Sequence, residues 1–171
     1  MNGAEILLAS IKFNHQLTGA VCGDCTPETL AKPVGGSTIN TAGTILAHAV
    51  LSEDFFVQAM MKHEPLIFAS GGWAEKTGIP PTDRPMQTPE FASGVKLNMA
   101  TFTPYMQAVF AATEAYIGGL SDADLDQEVD GLQGKTKLGL FLAGIGVFHL
   151  SEHLGEISAL KGVHGLKGLP F

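Results

Sequence analysis

The chain of 171 residues has ten basic and 17 acidic side chains, a formal net charge of −7, and 45% of its residues are hydrophobic. Nucleic-acid-binding proteins usually carry a basic stripe that neutralises phosphates, so this acidic balance disfavours that class. The length suits one domain, since about two-thirds of the unfolded surface of such a chain can be buried in a single core. We therefore predict one globular domain over residues 1–171.

The N-terminal part of the chain predicts one helix and then a loop. Apolar residues recur at spacings of three and four between Gly3 and Ala20, as one face of a helix requires. The following stretch, Cys22 to Gly36, contains two prolines and a Gly-Gly pair, which interrupt helices.

A second helix is predicted from a Ser37 cap to the Glu64-Pro65 pair, and it carries His48. The next stretch, from Pro65 to Gln87, is rich in glycine and proline and cannot hold a long regular element. We expect it to cross the molecule as a long connection.

The C-terminal half predicts two more helices. Thr88-Pro89-Glu90 combines a helix cap, a proline at the first helical position and an early acid, which together start a third helix that should reach about Ile117. Pro104 removes a backbone donor, so we expect two half-helices with a bend there. After an acidic turn from Ser121 to Asp130, a fourth helix is indicated from Leu138 to Leu160. Because no segment alternates as a half-buried strand would, we predict an all-α four-helix bundle with a long crossover between helices 2 and 3.

Neither the apolar segments nor the cysteines point to a membrane or to export. The most apolar stretch, Leu138 to Leu150, has 13 residues, whereas a membrane-spanning helix needs about 20. The N-terminus lacks a basic opening segment, and Cys22 and Cys25 cannot build a secreted disulfide framework. We expect a cytoplasmic protein without a membrane segment, in which this lone C-x2-C pair is not catalytic.

Three histidines are candidate metal ligands. His149 and His153 are four residues apart on a predicted helix, so their side chains differ by about 40° around its axis and can hold one ion. His48 lies among apolar residues, where an imidazole without a hydrogen bond would cost about 1–3 kcal/mol. Binding a metal would remove that cost. The competing interpretation, in which each histidine simply packs with one hydrogen bond, stays open on the spacing alone.

Several neighbouring residues have more than one interpretation. Glu152 and Glu156 can orient an imidazole or lie in solvent on the helix surface. The remaining histidines, which have no spaced partner and are predicted to be polar surface groups, are His15, His63 and His164. Trp73, in the crossover, is a candidate for lining a pocket above the metal, although aromatic residues more often belong to the core.

Two segments resemble the DinB-like (YfiT-type) bundles. Residues 41–53, TAGTILAHAVLSE, resemble the second helix of that family, and residues 149–160, HLSEHLGEISAL, resemble its last helix. The resemblance extends over nearly the whole chain and includes the turn LSDADLD at residues 120–126. It implies that His48, His149 and His153 form a three-histidine site for a divalent metal, with zinc or nickel expected.

The same resemblance implies a range of functions. The family includes transferases and isomerases that use low-molecular-weight thiols such as bacillithiol or mycothiol, and it does not imply DNA binding. We expect a metal-dependent S-transferase or hydrolase acting on a small molecule, because three histidines leave coordination positions open. The alternative is a non-catalytic bundle in which the metal is structural or a partner protein is bound. Family members often pair through their helices, so a homodimer is expected.

Overall fold

The computed structural model describes residues 1–83 and 88–171. In chain order its helices are α1 (Gly3–Cys22), α2 (Pro27–Ala31), α3 (Ala42–Asp54), α4 (Ile67–Ser70), α5 (Ala74–Thr77), α6 (Pro89–Gly94), α7 (Met99–Gly118), α8 (Asp122–Leu125), α9 (Leu138–Ala143) and α10 (Leu150–Val163). The π-helical segment Phe55–Met61 continues α3, and a second one, Gly144–His149, joins α9 to α10. Strands β1 (Glu128–Gly131) and β2 (Gly134–Lys137) form an antiparallel hairpin.

The long helices pack as a bundle, which confirms the predicted all-α class. Helix α10 packs on α3 and α1, and α7 packs on α1 and α3. Buried apolar side chains form two clusters, and Phe55 contacts both of them from the start of the first π-helical segment. The two helices that carry the candidate ligands, α3 and α10, therefore lie against each other in the interior.

The first long loop differs from the prediction in two places. Thr26 caps a short helix, α2, with Pro27 at its first turn, inside the stretch predicted to be irregular. The predicted cap of the second helix, Ser37, is wrong, since Thr41 caps α3 by accepting a hydrogen bond from the Thr44 amide at 3.3 Å. Residues 38–40 have no regular secondary structure, and α3 begins where a hydroxyl can satisfy its free amides.

The crossover holds more structure than the sequence indicated. It contains the short helices α4 and α5, and the amides of Ile67 and Phe68 at the start of α4 both donate to the Asp54 carboxylate. The end of the predicted crossover, residues 84–87, lies outside the described residues.

The break in the third helix lies earlier than predicted. Thr88 caps α6 as expected, but that helix ends at Gly94, and Asn98 caps a new helix, α7, which runs through Pro104 without interruption. Between them the Lys96 amide donates to the Gly78 carbonyl at 2.8 Å. Gly78 has φ +75°, and a Cβ there would lie 2.1 Å from the Lys96 carbonyl oxygen. This tertiary contact between the crossover and residue 96 separates the two helices.

The expectation of no strands was wrong for residues 128–137. In the hairpin Val129 pairs with Thr136 and Asp130 with Lys135 across a two-residue loop. The pair Asp130–Lys135 has its charged atoms 2.7 Å apart. Most of the strand residues are polar or glycine and exposed, so the alternating apolar pattern that identifies a strand is absent.

The last helix has the length and composition of a membrane span. Within the described residues, Leu138–Val163 passes that test with a mean hydropathy of 1.3. His164, the residue after this helix, donates a hydrogen bond to the Lys32 carbonyl. The buried face of the helix, including Leu154 and Ile157, belongs to the larger apolar cluster. These contacts agree with the predicted core helix.

Candidate metal centre

Three imidazoles converge where α3 meets the last helix. His48 lies in the middle of α3, His149 ends the second π-helical segment, and His153 lies one turn later in α10. The Nε2 atom of His149 is 3.3 Å from that of His48 and 3.1 Å from that of His153. The predicted convergence of the three rings is therefore observed.

The nitrogen spacing fits a small divalent ion. Zinc binds imidazole nitrogen at about 2.0–2.1 Å in tetrahedral geometry, so two such ligands lie roughly 3.3–3.4 Å apart. The two measured Nε2 separations, 3.1 and 3.3 Å, are close to that value. All three ligand atoms lie within 4.8 Å of one another, so the group can hold a metal ion.

One carboxylate fixes the orientation of a ring. The Nδ1 atom of His153 is 2.6 Å from Oε2 of Glu156, one turn later on α10. A carboxylate can only accept there, so Nδ1 carries the hydrogen and the Nε2 lone pair faces the other two histidines. Glu152, the other candidate for this role, is an exposed residue of the same helix. The alternative in which Glu156 is only a solvated surface residue is thus disfavoured.

The electrostatics of the cluster keep His149 neutral. Burial, together with the neighbouring His153 and His48, lowers the pKa of His149 to about 4. At neutral pH this imidazole therefore carries no charge, and its lone pair is available to a cation.

Both ligand-bearing helices are locally widened at the site. The segment after α3 and the segment that ends at His149 are π-helical. This form is rare in proteins overall, but where it occurs it is often at a functional site. Phe56, in the first of these segments, lies edge-on to His149 with ring centroids 6.4 Å apart.

A cavity of about 760 Å³ opens beside the histidines. His48 and His149 lie in its wall, with Ser52 and Phe56 from the α3 side. The hairpin forms another wall through residues 131–136, and the last helix contributes Leu140, Phe141, Gly144 and Ile145. The hairpin that the sequence did not reveal is therefore part of this site.

Comparison with known proteins identifies the family. A family model described as the DinB superfamily matches residues 11–157. The chain belongs to the DinB superfamily. The crystal structure of a conserved protein from Enterococcus faecalis has the same fold, with a TM-score of 0.76 and 17% sequence identity over 95% of this chain and 99% of that one. No curated protein matches the chain.

Other residues considered from the sequence lie elsewhere in this DinB-superfamily protein. Trp73 does not line the cavity, and its ring instead packs near Tyr105, with the centroids 5.8 Å apart. Cys22 and Cys25 are buried free thiols, and burial raises the pKa of Cys22 to about 12, which agrees with a non-catalytic pair. His63 is exposed, two residues after the end of the first π-helical segment.

The prediction that His15 is a surface group is wrong. Its side chain is buried in α1, where Nδ1 is 2.7 Å from Glu114 and Nε2 is 3.1 Å from Glu53. The ring also stacks on Phe110, with the centroids 3.8 Å apart. His15 forms a buried ion-pair cluster that the metal centre does not include.

Proposed function

We propose that this protein is a metal-dependent enzyme in which His48, His149 and His153 hold one divalent ion, zinc or nickel, and which acts on a small molecule. The observation that carries the proposal is the convergence of three Nε2 atoms at the wall of a large cavity. A closed structural site would fill its coordination sphere with protein ligands, whereas three histidines beside a cavity leave room for water or substrate.

Two features of the protein itself, the orientation of His153 and the neutral charge of His149, favour metal binding at this site. Glu156 accepts the His153 Nδ1 hydrogen, which directs the Nε2 lone pair of His153 toward the other two histidines, and the low pKa of His149 keeps that ring neutral and able to bind a cation. A divalent ion bound there would supply Lewis-acid activation of a water or a thiol. A thiol-dependent transferase or a hydrolase is the proposed reaction class, with a low-molecular-weight thiol as the proposed cosubstrate.

The metal content of purified variants tests the site. Wild-type protein without an affinity tag is expected to carry about one metal per chain by elemental mass spectrometry, and His48→Ala, His149→Ala and His153→Ala should each lose it, since affinity depends on all the ligands together. Glu156→Gln should weaken metal affinity by roughly 10- to 100-fold, because the His153 ring loses its orienting acceptor.

Two variants serve as matched controls. His164→Ala removes a histidine that bonds the Lys32 carbonyl away from the cluster, and Glu152→Gln removes an exposed carboxylate of α10. Both should retain the metal. Wild type that stays metal-free after reconstitution, or ligand variants that keep a full complement, would overturn the three-histidine site. The proposed catalytic activity is tested separately: metal-loaded wild type should consume a thiol in the presence of small electrophiles, and His149→Ala should not.

A cytoplasmic homodimer remains part of the proposal. Large apolar side chains stand exposed on α1 and on the second π-helical segment, namely Ile6, Phe13 and Phe148, at 53%, 60% and 65% exposure. Such a surface is the kind that a second copy can cover. Light scattering should give twice the chain mass, and Phe13→Ser should shift it toward the monomer; a wild-type monomer at high concentration would contradict this.

A further inference from the structure

The cavity beside the metal centre is walled mainly by apolar groups. Its volume of about 760 Å³ lies within the range of small-molecule sites. The apolar walls are formed by Phe56, Leu132, Leu140, Phe141 and Ile145. Leu132 and Leu140 are each 69% exposed, so the rim of the cavity as well as its interior would contact an apolar ligand.

Apart from the histidines, the side chains that line this cavity carry little charge. Among the described residues that line it, Lys135 is the one lysine or arginine, and none is acidic. The Lys135 ammonium is already paired with Asp130 across the hairpin at 2.7 Å. The cavity walls away from the histidines therefore offer no free cation, so the part of a ligand that contacts those walls is favoured to be uncharged.

Ser52 supplies an unused polar group inside the cavity. It lies one helical turn after His48 on α3, and its side chain is 1% exposed. Its Oγ has no hydrogen-bond partner among residues 1–83 and 88–171, although a serine within a helix often bonds the carbonyl four residues earlier. A buried hydroxyl without a partner carries a desolvation cost, and because no hydrogen bond holds it in place, a side-chain rotation that brings it to a bound ligand would remove that cost.

We infer that the cavity binds a largely apolar small molecule whose part against the walls away from the metal is uncharged, and that Ser52 hydrogen-bonds one polar group of that molecule beside His48. The inference deepens the proposed function, since this ligand would be the substrate held next to the metal. It assigns Ser52 a substrate-positioning role that the histidine pattern does not include.

Filling the cavity tests whether it is the binding site. A Cβ added at Gly144 meets no atom within 4 Å, and Gly144 lines the cavity. Gly144→Leu is therefore expected to fold and to weaken binding of 1-naphthamide, measured by naphthalene fluorescence, by about tenfold or more. The matched control is Gly162→Leu, at an equally open position near the end of α10 outside the cavity, which should bind as wild type does.

Ser52→Ala tests the hydrogen bond with a pair of probes. Binding of 1-naphthamide should weaken by about fivefold, whereas binding of 1-methylnaphthalene, which has no polar group, should stay within about twofold of wild type. Ser158→Ala is the control, because Ser158 in α10 also has a buried hydroxyl without a described partner but does not line the cavity. In metal-free protein the anion 1-naphthoate should bind about tenfold more weakly than the amide.

Each outcome decides one claim. Equal losses for both probes in Ser52→Ala would overturn the role of Ser52, and tighter binding of the anion than of the amide to metal-free protein would overturn the preference for an uncharged group at the walls. Undiminished binding in Gly144→Leu would overturn the location. Metal content measured on the same samples separates this inference from the metal site. A protein that is metal-free even after reconstitution but binds 1-naphthamide overturns only the metal proposal. A metal-loaded protein that binds neither neutral probe overturns only this inference.

Discussion

Replacing His15 by alanine is expected to lower the free energy of unfolding by about 3–5 kcal/mol, the usual loss when one member of a buried ion pair is removed. The imidazole lies between the carboxylates of Glu53 and Glu114, at 3.1 and 2.7 Å. Glu53 is only 2% exposed, and its second oxygen has no partner among the described residues. Without His15 that carboxylate would stay buried and uncompensated.

Matched variants separate the ion pair from simple loss of volume. Adding Glu53→Gln to His15→Ala should recover a large part of the lost stability, because the buried charge is then removed as well. Lys12→Ala removes a half-exposed lysine 3.9 Å from Glu114 and should change stability by less than about 1 kcal/mol. Urea unfolding followed by circular dichroism measures all of these. A loss below about 1 kcal/mol in His15→Ala would contradict the ion-pair interpretation.

The same cluster gives a pH dependence with a definite sign. Burial lowers the pKa of His15, but hydrogen bonds and charges from Glu53 and Glu114 outweigh it, so the net pKa is raised above 6.5. The folded state therefore binds this proton more tightly than the unfolded state does. The stabilisation is complete below pH 6.5 and is lost as the pH rises through the folded pKa. Wild type should lose stability across that window relative to His15→Gln, and parallel curves would contradict the shift.

Local rules predicted the parts of the site that lie on single helices. The spacing of His149 and His153 fixes their common face through helix geometry alone, and the rings indeed lie with centroids 4.4 Å apart. The same helix-start signal was missed at a second place in the chain. Thr26-Pro27-Glu28 has the same cap, proline and acid as Thr88-Pro89-Glu90, yet only the second was predicted to start a helix, because the glycines and prolines around the first favoured a loop.

Contacts between distant residues explain what the sequence could not show. His15 has no spaced histidine partner, and its actual partners, Glu53 and Glu114, are 38 and 99 residues away. The hairpin that closes the cavity pairs polar strands by backbone hydrogen bonds and the Asp130–Lys135 ion pair, which leave no apolar alternation to detect. The three-histidine pattern was thus visible in the sequence, whereas the wall facing it was not.

Replacing Asp54 by alanine is expected to lower the free energy of unfolding by about 2–4 kcal/mol, because three buried donors lose their acceptor. Asp54, fully buried at the end of α3, accepts from the Ile67 and Phe68 amides at 3.0 and 2.9 Å and from the Tyr105 hydroxyl at 2.9 Å. Leu66, the residue at the cap position of α4, makes no side-chain cap bond, so Asp54 takes over that role from another helix. It thereby ties the start of the crossover to α3 and α7.

Asp54→Ala should change hydrogen exchange near α4 as well as the global free energy of unfolding. Tyr105→Phe removes one of the three hydrogen bonds and should cost about 1 kcal/mol, with the Ile67 and Phe68 amides still protected from hydrogen exchange. In Asp54→Ala those two amides should exchange much faster, while amides in the middle of α10 keep their relative protection. Unchanged protection at Ile67 and Phe68 would show that α4 does not depend on this carboxylate. Burial raises the pKa of Asp54, and the three hydrogen bonds oppose that rise. Part of their strength therefore offsets the cost of holding a buried charge. Asp54→Asn keeps one acceptor and removes that charge, so its free energy of unfolding should fall by less than that of Asp54→Ala.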